Sequence, residues 1–174
     1  MDYERIQNSA SLAELLQGMD GWRLPANSDS GLYIFAGLGR ALYVGISRDP
    51  VFRVHQHLGL AGPWDYHARP RFDSASMIGR VVHIFSPESL DWRVYFPSAK
   101  EVASYVNAHP RVAFSDFEED YRVFAIAERH LIYDLKCPVN KTYSREDVDE
   151  SAFWELVWQK EGCPEQNPGN SLKL

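Results

Sequence analysis

A chain of 174 residues with 45% hydrophobic residues is long enough to bury a sizeable core and suits a single domain, 1–174. No apolar run approaches the roughly 20 residues of a membrane span, and Met1-Asp2-Tyr3-Glu4-Arg5 has no basic, apolar leader pattern, so a globular protein in the cytoplasm without membrane contact is expected. The net charge of −6 argues against an indiscriminate nucleic-acid binder, and Cys137 and Cys163 form no paired motif for zinc or a disulfide framework.

Ser11-Leu12-Ala13-Glu14 has the capping-box spacing and predicts a short helix from Leu12 to Gln17 that stops near Gly18. Residues 21–30 read as a loop. Gly31-Leu32-Tyr33 and Tyr43-Val44-Gly45 then flank Gly37-Leu38-Gly39-Arg40, so short aromatic and β-branched runs surround a glycine turn, the pattern of a hairpin. A turn centred on Leu38 makes Tyr33 and Tyr43 direct cross-strand partners on one face. Asp49-Pro50 supplies an N-cap and a first-turn proline for a helix to about Leu58, with Gly59 and Gly62-Pro63 as its stop. Val51, Val54 and Leu58 form its apolar side, which puts the i,i+4 pair Arg53 and His57 on the opposite side, away from the core.

Residues 59–77 look irregular but interleave Trp64, Tyr66, His67, Arg69 and Arg71, groups suited to stacking on bases and contacting phosphates, although a plain surface loop explains them equally. Gly79 to Phe85 reads as a third strand closed by Pro87, and residues 91–96 are a further strand candidate. Ser98 to Ala108 has helical spacing through Val102, Tyr105 and Val106, and Pro110 stops it. A longer helix is expected from Phe117 to Leu135, with the acidic stretch Asp116 to Asp120 at its positive end. Asp149 to Glu161 reads as a C-terminal helix with Phe153, Leu156 and Val157 inward, followed by a tail from Cys163.

Charge is unevenly distributed. Residues 31–80 hold six arginines against three aspartates, and residues 121–143 hold four basic against two acidic side chains, while the flanks are acidic. In the long helix Phe117, Tyr121, Phe124, Leu131 and Leu135 form one stripe, and Glu128 occupies its missing position. An unpaired carboxylate buried there would cost several kcal/mol. Glu128 therefore calls for a cationic partner, a proton or a metal ion, and a structural salt bridge to a nearby arginine is the plainest of these.

In order, the chain presents Gly31-Leu32-Tyr33, Tyr43-Val44-Gly45, Arg53 with His57, Glu128, and Asn140 in Lys136-Cys137-Pro138-Val139-Asn140-Lys141. This series resembles the GIY-YIG nuclease family, including the arginine ten residues after the second tyrosine and the asparagine twelve residues after the glutamate. The resemblance implies an α+β fold with a small central antiparallel sheet of about three strands flanked by helices. Its catalytic core would span 31–142 with insertions at 59–77 and 87–116, and an N-terminal helix and a C-terminal segment, 143–174, would lie outside the likeness.

For the site, the resemblance implies that Glu128 binds Mg²⁺ or Mn²⁺, that Tyr33 is the leading base, and that Tyr43 orients it and contacts the phosphate. Arg53 would neutralise the transition state, and Asn140 would tie the helix end to the neighbouring loop or position the scissile strand. Ile46 stands where many relatives place a lysine, so His57 is read as a proton relay or co-base. Arg40, Trp64, His67, Arg69, Arg71 and Lys141 are the candidate nucleic-acid contacts.

The expected function is a divalent-metal-dependent endonuclease on DNA, with RNA not distinguished, of restriction type or of repair and recombination type. A restriction enzyme must address both strands, which implies a homodimer or sequential nicking. The competing classes are a catalytically inactive nucleic-acid-binding module of the same fold and a protein-interaction domain acting through the acidic flanks.

Overall fold

The computed structural model describes residues 1–17, 30–59, 76–109, 120–140 and 150–162; Trp64, His67, Arg69, Arg71, Phe117, Lys141 and the tail from Cys163 lie outside them. The fold is α+β, with a four-stranded antiparallel sheet and, among the described residues, six α-helices. The strands are β1 (Ser9–Ser11), β2 (Leu32–Gly37), β3 (Arg40–Ile46) and β4 (Arg93–Tyr95), in the order β1-β4-β2-β3. The helices are α1 (Leu12–Gln17), α2 (Pro50–His57), α3 (Met77–Ile84), α4 (Ala99–Ala108), α5 (Asp120–Leu135) and α6 (Ser151–Glu161).

The hairpin turns on two residues. Leu38 and Gly39 have φ of 53° and 72°, and Gly37 pairs with Arg40, which is the type I′ connection that matches strand twist. A further irregularity follows: Ala36 faces Ala41 but Phe35 faces Tyr43. Leu42 is thus the extra residue of a bulge, and it joins the same core cluster as its neighbour Tyr43. The consequence corrects the expected pairing, because Tyr33 lies opposite Gly45 and stands diagonal to Tyr43 on the same face.

Local signals account for several helices. Ser11 and Glu14 form the expected capping box at α1, Asp49 Oδ1 accepts the Phe52 amide at 2.9 Å to cap α2, and Ser98 with Glu101 forms a second capping box at α4. Residues 79–85, read from sequence as the third strand, instead form the end of α3 and its C-cap Phe85. Ser76 caps this helix, and Ile78, Val81, Val82 and Phe85 recur at helical spacing and are buried. Period and cap outweigh the β-branched composition. The additional strand comes from residues 93–95, inside the segment read as an insertion, and it lies between β1 and β2.

Alternation along the strands divides the core between the two faces of the sheet. Tyr33, Phe35, Leu42 and Val94 meet Leu12 and Leu15 of α1, Val54 of α2, Val81 of α3 and Phe153 and Val157 of α6. On the other face Leu32, Ile34, Ala41 and Val44 meet Val102 and Val106 of α4 and Ala127, Leu131 and Ile132 of α5. Each fully buried aliphatic side chain contributes about 1.5–3 kcal/mol relative to exposure. Leu156 of α6 was expected inward but is 38% exposed, because Phe153 and Val157, one turn apart, form the seam toward the core. Among the described residues no helix is long and apolar enough to cross a membrane.

Candidate active site

Two rows of side chains meet at the hairpin. The inner row starts at Tyr33, which is 1% exposed and lies across Gly45; a Cβ at that glycine would run into the phenol ring. The glycine of the second tripeptide is therefore required by the tyrosine of the first. The Tyr33 hydroxyl is 2.8 Å from His57 Nε2, and His57 Nδ1 is 2.6 Å from Ser76 Oγ. Tyr43 stacks diagonally on Tyr33 with ring centroids 6.2 Å apart, and meets His57 edge-on at 5.1 Å. Phe35 closes the box around the imidazole at 6.1 Å.

His57 was expected to point away from the core, yet it is 4% exposed. α2 is only eight residues long and packs against α3 as well as the sheet, so its second side is covered too. Its neighbour His55 is also buried, with Nε2 3.3 Å from the Leu15 carbonyl oxygen. Arg53 remains at the surface, where its guanidinium donates to Gln56 Oε1 at 2.9 Å.

The outer row follows the edge of β3 that no strand pairs among the described residues. In an antiparallel edge strand alternate residues turn their backbone groups outward, and unpaired groups must find other partners. The Val139 amide donates to the Leu42 carbonyl at 3.1 Å. Asn140 then accepts the Val44 amide at Oδ1, 2.9 Å, and donates from Nδ2 to the Val44 carbonyl, 2.8 Å. Both ends of this 9% exposed amide are committed, so Asn140 ties the end of α5 to β3. One step further along the edge, the Ile46 amide bonds the Glu128 carboxylate. Arg40 supports the same junction by donating to the Lys136 carbonyl beyond α5, where Lys136 takes a φ of 52°. Its guanidinium serves a helix end, a use that the reading as a nucleic-acid contact did not foresee.

The electrostatics bind the two rows into one site. Burial, then the neighbouring Tyr43 phenol, raises the Tyr33 hydroxyl far above the ordinary phenol range, and the two hydroxyls are hydrogen-bonded. Burial and the Glu128 charge also raise Tyr43, against the pull of Tyr33 and Arg53. His57 is pushed down to about 4, first by burial and then by the Arg53 guanidinium, so its imidazole is neutral at pH 7. Burial lifts the Glu128 carboxyl to about 7, although Arg129 and the Ile46 amide draw it down. Tyr33 and Tyr43 each feel the charges of Arg53 and Glu128, and His57 feels that of Arg53, so the five residues that sequence spacing singled out are linked through these pairs.

Among the described residues no three His, Cys, Asp or Glu side chains group so as to hold a metal ion. Glu128 offers a single half-buried carboxylate whose raised proton affinity reports too little compensating positive charge. That donor set fits a hard divalent cation that keeps most of its waters, and does not fit a structural zinc site. Sequence reasoning missed Ser76, although a serine three residues before Gly79 at the start of an apolar helical period was a readable cap signal. No family model, no curated protein and no solved structure matches this chain.

Proposed function

We propose that the chain is a GIY-YIG-type endonuclease that hydrolyses DNA phosphodiester bonds with the help of Mg²⁺ or Mn²⁺ at Glu128. The observation that carries this reading is the convergence of two phenols, an arginine, a neutral histidine and a carboxylate of raised pKa at one end of a hairpin. Bound at Glu128, the cation would supply Lewis-acid stabilisation of charge on the phosphoryl oxygens.

The chain's own residues do the rest. Tyr33, the leading base that the resemblance implies, is sealed from solvent while Tyr43 is half-buried, so Tyr43 takes its place as the phenol that meets the attacking water. As the water oxygen bonds to phosphorus, its proton passes to the Tyr43 oxygen, the Tyr43 proton to Tyr33, and the Tyr33 proton to His57 Nε2. Neither phenol has to persist as phenolate, a state that burial opposes at both positions. The negative charge of the entering phosphodiester raises the affinity of His57 for that proton. Arg53, exposed at the protein surface, neutralises the charge that builds on the phosphoryl oxygens as the P–O bond to the leaving strand breaks, and the leaving oxygen takes its proton from solvent water. Asn140 holds α5 and thereby Glu128 in register with β3.

Purified protein is expected to nick or cut DNA with Mg²⁺ or Mn²⁺, and Glu128→Ala to lower cleavage by about a thousandfold or more with an unchanged circular-dichroism spectrum. Equal cleavage by that variant would sink the metal role. Duplex, branched and single-stranded substrates assayed side by side separate a restriction enzyme, which leaves a fixed ladder on long duplex, from a repair or recombination nuclease, which selects flaps and junctions. The sealing of Tyr33 and the isoleucine at position 46 favour one second reading, a non-catalytic DNA-binding module. Its signature is metal-independent binding without any cut product.

A further inference from the structure

Ser76 stands at the far end of the inner row and has two partners. As the N-cap of α3 its Oγ accepts the Gly79 amide at 3.4 Å, and the same oxygen is 2.6 Å from His57 Nδ1. The opposite ring nitrogen, Nε2, is 2.8 Å from the Tyr33 hydroxyl. A neutral imidazole carries one N–H, so one of these contacts is made by an N–H and the other by a lone pair.

The direction follows from donor and acceptor strength. A phenol O–H is a more acidic donor than an imidazole N–H, and an imidazole nitrogen is a more basic acceptor than a phenol oxygen, whose lone pair is delocalised into the ring. At the Tyr33 contact the stronger bond is therefore O–H to Nε2. The proton of the imidazole is then on Nδ1, facing an aliphatic hydroxyl oxygen that has one lone pair for the Gly79 amide and a second for the ring.

We propose that Ser76 is a positioning residue that accepts the His57 Nδ1–H and thereby holds Nε2 as the open acceptor for the Tyr33 proton. Its consequence for turnover rests on the nuclease reading above, but the tautomer itself does not. Phe35 and Tyr43 meet the same ring with their aromatic rings, and Tyr33 reaches Nε2 with its hydroxyl, while Arg53 acts on it as a nearby charge. Tyr33 at Nε2 and Ser76 at Nδ1 thus set the tautomer together, Ser76 by accepting the Nδ1–H.

The test is nitrogen NMR of the full-length protein at pH 7, without metal or DNA, in which long-range proton–nitrogen correlations of the His57 ring report which nitrogen is protonated. The wild type is expected to show Nδ1–H. Ser76→Gly keeps most of the capping, since glycine costs only a few tenths of a kcal/mol at an N-cap, but lacks the hydroxyl, and it is expected to shift His57 toward Nε2–H. Ser76→Thr is expected to restore the wild-type spectrum. In a cleavage assay Ser76→Gly should lower kcat about tenfold with little change in KM, and in a His57→Gln background it should add nothing. An Nε2–H ring in the wild type, or an unchanged ring in Ser76→Gly, overturns the proposal. A wild-type protein that cuts nothing but shows the expected tautomers would instead remove the nuclease reading and leave the role of Ser76 standing.

Discussion

On the inward face of the hairpin, Tyr33, His57 and Ser76 form a row of neutral groups joined by hydrogen bonds, with Tyr33 and His57 buried and Ser76 half-buried. Along the outer edge of β3, by contrast, Asn140 and Glu128 answer backbone groups that the sheet itself leaves open, and Glu128 is a titratable group only half-buried. Both rows are pinned to the same strand, yet burial acts on them in opposite senses. It lowers the proton affinity of the histidine and raises that of the glutamic acid.

The sharpest way to break the contrast is to remove the edge row's anchor. Asn140→Ala strips both partners from the buried Val44 backbone and is expected to cost about 3 kcal/mol, read as a lower urea midpoint, because each buried unsatisfied group costs about 1–3 kcal/mol. A loss under 1 kcal/mol would mean that α5 is held to β3 by packing alone.

Next in size is the opposed pH dependence, measured by urea unfolding in a chelator and always relative to wild type. His57 stays neutral in the fold down to about pH 4, whereas an unfolded imidazole takes its proton near 6.5. The unfolded chain binds more protons between these values, so the group's contribution is complete above pH 6.5 and is lost as pH falls toward 4. Glu128 runs the other way: its folded pKa, about 7, lies above the ordinary 4.5, so its contribution is complete below pH 4.5 and is lost as pH rises through 7. Relative to wild type, His57→Gln should therefore gain on the order of 3 kcal/mol between pH 7 and pH 4. Glu128→Gln should gain about 2 kcal/mol between pH 4.5 and pH 7, the smaller figure reflecting partial solvent screening. Parallel slopes for the two variants would contradict the opposed protonation of the two rows.

The smallest expected effect lies in the turn that sets both rows in register. Leu38 is 42% exposed and sits at a φ of 53° that a γ-branched residue adopts poorly. Leu38→Asn is expected to stabilise by about 0.5–1 kcal/mol without altering cleavage, since Asn-Gly is the preferred pair in a type I′ turn. A destabilised Leu38→Asn would show that the leucine packs against something the turn geometry alone does not reveal.

Much was legible wherever the deciding interaction was local. The box at Ser11, the cap at Asp49, the apolar spacing after Ser98 and the glycine turn at 37–40 each involve groups within a few residues, and all produced the expected helix or hairpin. The spacing of Tyr33, Tyr43, Arg53 and Glu128 was also readable, but not which of them share a face of the sheet, since that depends on the strand register. The third strand was misread because Val81, Val82 and Ile84 have a composition that fits a strand while Ile78, Val81, Val82 and Phe85 have the period of a helix.

Sequence by itself therefore determined which groups are present, where the hairpin turns and where most helices begin, since capping, proline and glycine act over three or four residues. Only the tertiary structure decided that His57 is buried, that Tyr33 lies across Gly45, that Asn140 binds Val44 and that Ser76 meets the imidazole. Those outcomes depend on a one-residue bulge at Leu42, on α3 closing over α2 and on which edge of the sheet is left unpaired. They join residues separated by up to 96 positions, and no local preference encodes such a distance.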